Sequence, residues 1–131
     1  VPFKILIADD DVRLLTSLSV RLKAEGFEVV CVQDSYQAVA QAAKHRPDLL
    51  ILDVNMPAGD GFTAQDRIAQ NPDLQQLPVI YITGEQSERV QQRTANAGTF
   101  AVVHKPFDSK DLVRIVHAAI SSPLRWNIDA A

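Results

Sequence analysis

The chain has 131 residues, 47% of them apolar, and a formal net charge of −3. That is the length of one ordinary domain with one buried core, and its slight acidity offers no nucleic-acid surface. No stretch approaches the roughly 20 apolar residues of a membrane span, no signal peptide opens the chain, and the single Cys31 excludes an internal disulfide, so a cytoplasmic protein is expected.

Residues 3–8 are almost uninterruptedly apolar and read as a strand buried on both faces. The start at Val1-Pro2, without Met, suggests trimming or excision from a longer product. Asp9, Asp10 and Asp11 come next. Val12, Leu15, Leu18 and Leu22 then recur at helical spacing, with Asp11 placed to cap the helix and Gly26 to end it. Residues 27–32 read as a second strand, in which Cys31 is expected to be a buried structural thiol. Asp34 or Ser35 caps a second helix with Tyr36, Val39 and Ala43 on one face, and Pro47 stops it. Residues 48–52 form the third strand. A turn-rich stretch from Met56 to Gly61 leads into a short helix over residues 62–69. Pro78 opens a fourth strand over residues 79–82. Ser87 caps a fourth helix with little apolar character beyond Val90, and Gly98 closes it. Residues 100–103 read as the fifth strand. The last helix begins near Asp108 and carries Leu112, Ile115, Val116 and Ala119 on one face; Ser121-Ser122-Pro123 ends it.

Five strands, each followed by a helix, imply a parallel sheet with helices on both faces, and right-handed crossovers make it doubly wound. Ligands of such sheets bind beyond the C-terminal ends of the strands. Those ends carry Asp9 and Asp10, Asp53, Thr83-Gly84, and His104-Lys105-Pro106. Carboxylates about 4 Å apart repel by about 4 kcal/mol per pair at an effective dielectric of about 20. The cluster must therefore bind a cation, take up protons, or both. Its hard oxygen ligands suit Mg²⁺, Lys105 supplies a mobile positive charge for a phosphoryl oxygen, and Thr83 can donate a hydrogen bond to the same group. Cation, ammonium, hydroxyl and a free carboxylate make a phosphoryl-transfer site. Asp53 is the best nucleophile because the third strand lies centrally, leaving Asp9 and Asp10 to bind metal. Taken singly, each piece is an ordinary turn or cap, and Asp11 remains a helix cap. Their coincidence at strand ends in one register carries the reading.

Asp9-Asp10, the run from Pro47 through Asp53 to Pro57 with Asp60-Gly61, then Thr83-Gly84 and Lys105-Pro106-Phe107 together resemble the receiver domain of bacterial two-component response regulators, of the chemotaxis-regulator type, over roughly residues 3–121. The resemblance implies an α/β, flavodoxin-like sheet of order 2-1-3-4-5 with five helices, a receiver domain over residues 1–122, and a tail or start of a linker over 123–131. It implies that Asp53 is phosphorylated by a phosphohistidine on a sensor histidine kinase or histidine phosphotransfer protein. Mg²⁺ would be held by the carboxylates of Asp10 and Asp53, by the main-chain carbonyl of Asn55, and by Asp9 mainly through water. Lys105 would pair with the phosphoryl group, Thr83 would be the switch hydroxyl, the Lys105-Pro106 bond would be cis, and Asn55 and Glu85 would tune the phosphoryl lifetime. His45, His104 and His117 need no catalytic role. Such a domain is not an enzyme beyond promoting its own phosphorylation and dephosphorylation. Its fourth helix, fifth strand and fifth helix form an output face for an effector domain, an output protein or a second copy, with no nucleic-acid or membrane contact of its own.

Two departures from the family stand out. Val102 occupies the place of a frequent aromatic switch; Phe100, of the same strand parity, is a partial substitute at best, and core or edge packing is the better account of it. Ala58-Gly59 stands where a bulkier residue is common, which loosens the loop after Asp53. Arg89, Gln91, Gln92 and Arg93 make the fourth helix polar, and a solvated face is the simplest account of it. The tail around Trp126 either begins a linker or docks back on the domain. Rival readings are a flavin-binding electron carrier, which the phosphate-repelling Asp9-Asp10-Asp11 loop disfavours, a hydrolase with an aspartyl nucleophile, for which Asn55 leaves no second acid, and a degenerate receiver acting only as a protein-interaction module.

Overall fold

The apolar runs become five parallel strands in the computed structural model, which describes residues 2–95 and 98–121. They are β1 (Lys4–Ala8), β2 (Glu28–Val32), β3 (Leu49–Asp53), β4 (Val79–Thr83) and β5 (Thr99–His104), paired side by side in the order 2-1-3-4-5. Between and after them run α1 (Val12–Ala24), α2 (Ser35–His45), α3 (Gly61–Ile68), α4 (Glu88–Thr94) and α5 (Ser109–Ile120), with a short 3₁₀ turn at Pro72–Leu74 that the sequence reading missed. The expected doubly wound architecture is therefore present. The tail and its Trp126 lie outside the described residues.

The strands alternate between two cores. Leu6, Ala8, Leu50, Leu52 and Tyr81 pack under α2, α3 and α4, while Ile5, Ile7, Leu49, Ile51, Ile80 and Ile82 pack under α1 and α5. Both faces of the central strands β3 and β4 are buried throughout, as a parallel sheet covered on both sides requires. Aspartates begin four of the helices. Asp11, Asp34, Asp60 and Asp108 each accept hydrogen bonds from first-turn amides, and Ser87 does the same for α4. Gly26, at φ +94°, ends α1 by donating its N–H to the Lys23 carbonyl.

Four expectations need correcting. Cys31 is exposed, because β2 is an edge strand that its helices cover incompletely; even so, partial burial pushes its thiol pKa up. Phe3 lies outside β1 and is exposed. The buried face of α2 is Ser35, Ala38 and Ala42, whereas Tyr36 is 72% exposed. Small alanines let α2 approach the sheet and α3 closely, so close fit outweighs side-chain size there. Phe100 cannot replace an aromatic at Val102. The β4–β5 register skips a residue, pairing Val79 with Thr99 but Ile80 with Ala101, and this bulge reverses the strand's parity. Phe100 consequently packs with the α1/α5 core and Val102 with the opposite one.

Candidate functional site

The carboxyl ends of β1, β3, β4 and β5 converge where the doubly wound topology requires. Asp9 follows β1 and is fully buried; Asp53 closes β3 and is 4% exposed. Asp10 stands at the exposed rim. Asp9, Asp10 and Asp53 each offer a carboxylate oxygen within 4.8 Å of the others. Lys105, just past β5, places its Nζ 2.9 Å from Asp9 Oδ2 and 3.0 Å from Asp53 Oδ2. Three carboxylates against one ammonium leave the pocket formally two negative charges in excess.

Local main chain fixes these groups. The Asp11 amide donates to Asp9 Oδ1 at 2.8 Å and the Asn55 amide to Asp53 Oδ1 at 3.2 Å. Asp9 Oδ2 is buried and accepts no well-directed hydrogen bond, so the nearby ammonium reaches it by charge rather than by alignment. Burial raises the Asp53 pKa, and the Asp9 charge adds to that rise against the opposing pull of Lys105. Burial acts the other way on Lys105 and is its largest single influence, yet the two carboxylates together outweigh it and raise the pKa of the ammonium. An underneutralised set of hard oxygen donors with one poorly satisfied buried oxygen fits a small divalent cation. The expected cis Lys105-Pro106 bond is present.

Thr83 is fully buried beside this cluster, but its hydroxyl is engaged locally. It accepts the Glu85 N–H at 2.9 Å and lies 3.4 Å from the Glu85 carbonyl oxygen. The Lys105 amide donates to the Thr83 carbonyl at 2.8 Å, which ties the β4 and β5 ends together. Gly61, the first residue of α3, packs against the Asp53 backbone so closely that a β-carbon would overlap the Asp53 carbonyl oxygen. Val102 is half-buried, and an open recess of about 330 Å³ lies beside it, bounded in part by Ser87, Val90 and His104.

The fourth helix is less passive than its polar sequence implies. Arg89 reaches Asp60, Glu85 and Asn55, while Arg93 pairs with Asp66 at 2.8 Å. Both guanidinium groups lie over the Phe62 ring, at 5.6 and 5.1 Å from its centroid. The i,i+4 spacing of Glu85 and Arg89 was visible in sequence; the reach from Arg89 to Asp60, across 29 residues, was not.

A sheet of this order, carrying acidic groups and a lysine at these strand ends, defines a receiver domain. The chain belongs to the response regulator receiver domain family, whose family model matches residues 5–117. Among curated relatives it is 35% identical over 122 residues to the transcriptional regulatory protein PdtaR of Mycobacterium tuberculosis, covering 92% of this chain and 58% of that one. It is 36% identical over 119 residues to the phosphate regulon transcriptional regulatory protein PhoB of Rhizobium meliloti, covering 89% and 52%. The chain thus spans about half the length of the curated relatives it matches. Among solved structures it resembles the chemotaxis protein CheY4 of Vibrio cholerae, with a TM-score of 0.84 at 28% identity over 91% of this chain and 99% of that one. It also resembles the receiver domain of a sensor histidine kinase from Pseudomonas aeruginosa that holds a magnesium ion in its active-site cleft, with a TM-score of 0.82 at 28% identity, covering 93% and 100%. Among the described residues, no helix is long and apolar enough to cross a membrane.

Proposed function

We propose that Asp53 is the phosphoacceptor of this receiver domain. It takes its phosphoryl group from a phosphohistidine on a sensor histidine kinase or histidine phosphotransfer protein. The observation that carries this reading is the Lys105 ammonium lying between Asp9 and Asp53, at 2.9 and 3.0 Å, in a pocket that remains negative. Asp10, Asp53 and the Asn55 main-chain carbonyl would hold Mg²⁺ directly, and Asp9 through water. When bound, Mg²⁺ neutralises charge on the transferring phosphoryl oxygens.

An Asp53 carboxylate oxygen attacks phosphorus in line, the P–N bond to the donor imidazole breaks, and its electron pair returns to the ring nitrogen. Lys105 moves its ammonium from the carboxylates to a phosphoryl oxygen. Thr83 exchanges its contacts with the Glu85 main chain for a hydrogen bond to the new phosphoryl group. That exchange frees the β4–α4 loop and carries the change toward α4, β5 and α5, a surface suited to an effector, an output protein or a second copy. Hydrolysis reverses the loading: water attacks phosphorus, the bond from phosphorus to the Asp53 oxygen breaks, and phosphate and a proton leave.

The test is incubation with acetyl phosphate, with and without Mg²⁺, followed by intact-mass measurement. One phosphoryl group should be gained only with metal and be lost in Asp53→Ala. No gain under any condition would leave the domain as a protein-interaction module without phosphoryl chemistry.

A further inference from the structure

Asn55 and Glu85 each stand two residues beyond a pocket residue, Asp53 and Thr83, on the adjacent strands β3 and β4. Their side chains meet across the gap between the two loops, with Asn55 Nδ2 donating to Glu85 Oε1 at 3.3 Å. Arg89 fastens this contact from outside. Its guanidinium donates to Asn55 Oδ1 at 3.3 Å, to Glu85 Oε1 at 3.2 Å and Oε2 at 3.3 Å, and to Asp60 Oδ2 at 3.0 Å. Ser87 adds a short hydrogen bond from its hydroxyl to Glu85. One planar cation therefore joins the loop after β3, the loop after β4 and the cap of α3.

We infer that Arg89 is the positioning residue that braces Asn55 and Glu85, the two side chains the family resemblance already ties to phosphoryl lifetime, and that without this brace water reaches the acyl phosphate more readily. The inference rests on Asp53 being phosphorylated, as proposed above. Its physical core is charge. An aspartyl phosphate would bring roughly two negative charges to the pocket, and an unneutralised Glu85 would be driven away from it, parting from Asn55. Arg89 supplies the compensating charge and fixes Glu85 and Asn55 at once, which only a forked donor can do. The Thr83 hydroxyl also holds the Glu85 amide at 2.9 Å before phosphorylation; once it turns to the phosphoryl group, the side-chain contacts from Arg89, Asn55 and Ser87 are what keep Glu85 in place.

Arg93 provides the control, since it stacks on the same Phe62 ring but pairs with Asp66 instead of joining the brace. The experiment uses the whole chain, phosphorylated with acetyl phosphate in Mg²⁺, desalted, and followed by intact mass as the phosphoryl group decays. Arg89→Ala should shorten the lifetime about fivefold, the scale expected when exposed charge pairs are loosened. Arg89→Lys, which keeps the charge without the fork, should fall between, and Arg93→Ala should match wild type. An unchanged or longer lifetime in both Arg89 variants overturns the inference. So does an equal shortening in Arg93→Ala, which would trace the effect to packing on Phe62. Failure of the wild type to take up phosphoryl at all would instead overturn the parent reading, and this inference with it.

Discussion

Gly61→Ala tests how closely the strand that carries Asp53 is packed against the helix that follows. A β-carbon at this position would overlap the Asp53 carbonyl oxygen and lie 3.1 Å from the Asp53 carbonyl carbon and 3.3 Å from Val54 Cα. All three neighbours are backbone, so no side chain can swing aside. Carbon contacts are comfortable at about 3.5 Å, and relief requires α3 or the end of β3 to move by about 1 Å. The Gly61 amide donates to the Val54 carbonyl at 2.9 Å, so that movement also strains the turn. Overpacking of this kind costs about 1–3 kcal/mol, and the lower unfolded-state entropy of alanine returns about 0.4–1 kcal/mol. A net loss of about 1–2 kcal/mol should lower the melting temperature by about 3–10 °C. Because Asp53 itself is displaced, the rate of phosphorylation by acetyl phosphate should fall by up to about 100-fold. Gly84→Ala is the matched control: it neighbours Thr83, a β-carbon there meets nothing within 4 Å, and both readouts should stay at wild type. Wild-type stability and rate in Gly61→Ala would refute the reasoning.

Lys105→Met leaves Asp9 and Asp53 facing each other without their cation. In chelator it should lose about 1–3 kcal/mol, less than a fully buried pair because the ammonium is partly solvated, and Mg²⁺ should restore more stability to it than to wild type in urea titrations. Arg46 ends α2 at φ +49°, and its only charge partner among the described residues, Asp73 at 3.3 Å, is exposed; Arg46→Gly should relieve the strain and raise stability by about 0.5–1 kcal/mol in the same titration. The Asp60 carboxyl is pushed up by its burial, but the Thr63 amide and Arg89 outweigh this and hold its pKa below the ordinary value. A depressed folded-state pKa gives stability that is present above the unfolded value of about 3.9 and lost as pH falls through the folded one. Melting curves across that acid range should therefore be flatter for Asp60→Asn, which retains an acceptor for the Thr63 amide.

The sequence was most readable where one physical rule dominated. Uninterrupted runs such as residues 49–52 announced strands buried on both faces, and the aspartates at 11, 34 and 108 marked helix starts, whereas Asp60, read as part of a turn, also caps a helix. The strand-end rule then drew Asp9, Asp53 and Lys105 together, and they do meet. Less readable were features decided by tertiary fit. Tyr36 outranks Ala38 and Ala42 in hydrophobic area, yet the alanines are the residues that fit between α2 and the sheet. Parity along β5 assumed a regular ladder, and one skipped pairing moved Phe100 to the other core. Arg89 looked like solvated charge because its partners, Asn55 and Asp60, lie in another loop that only the folded chain brings near.

The Lys105 contacts span nearly the whole chain, tying residue 105 to residues 9 and 53 at once. Asp53 therefore gains its ammonium neighbour only after the last strand has docked. A partly synthesised or partly unfolded chain would still display Asp53 but would lack the ammonium opposite it. With Asp53 as the proposed phosphoacceptor, phosphoryl acceptance would double as a report of completed folding, since a partly folded copy lacks the cation that charge on the transferring group needs.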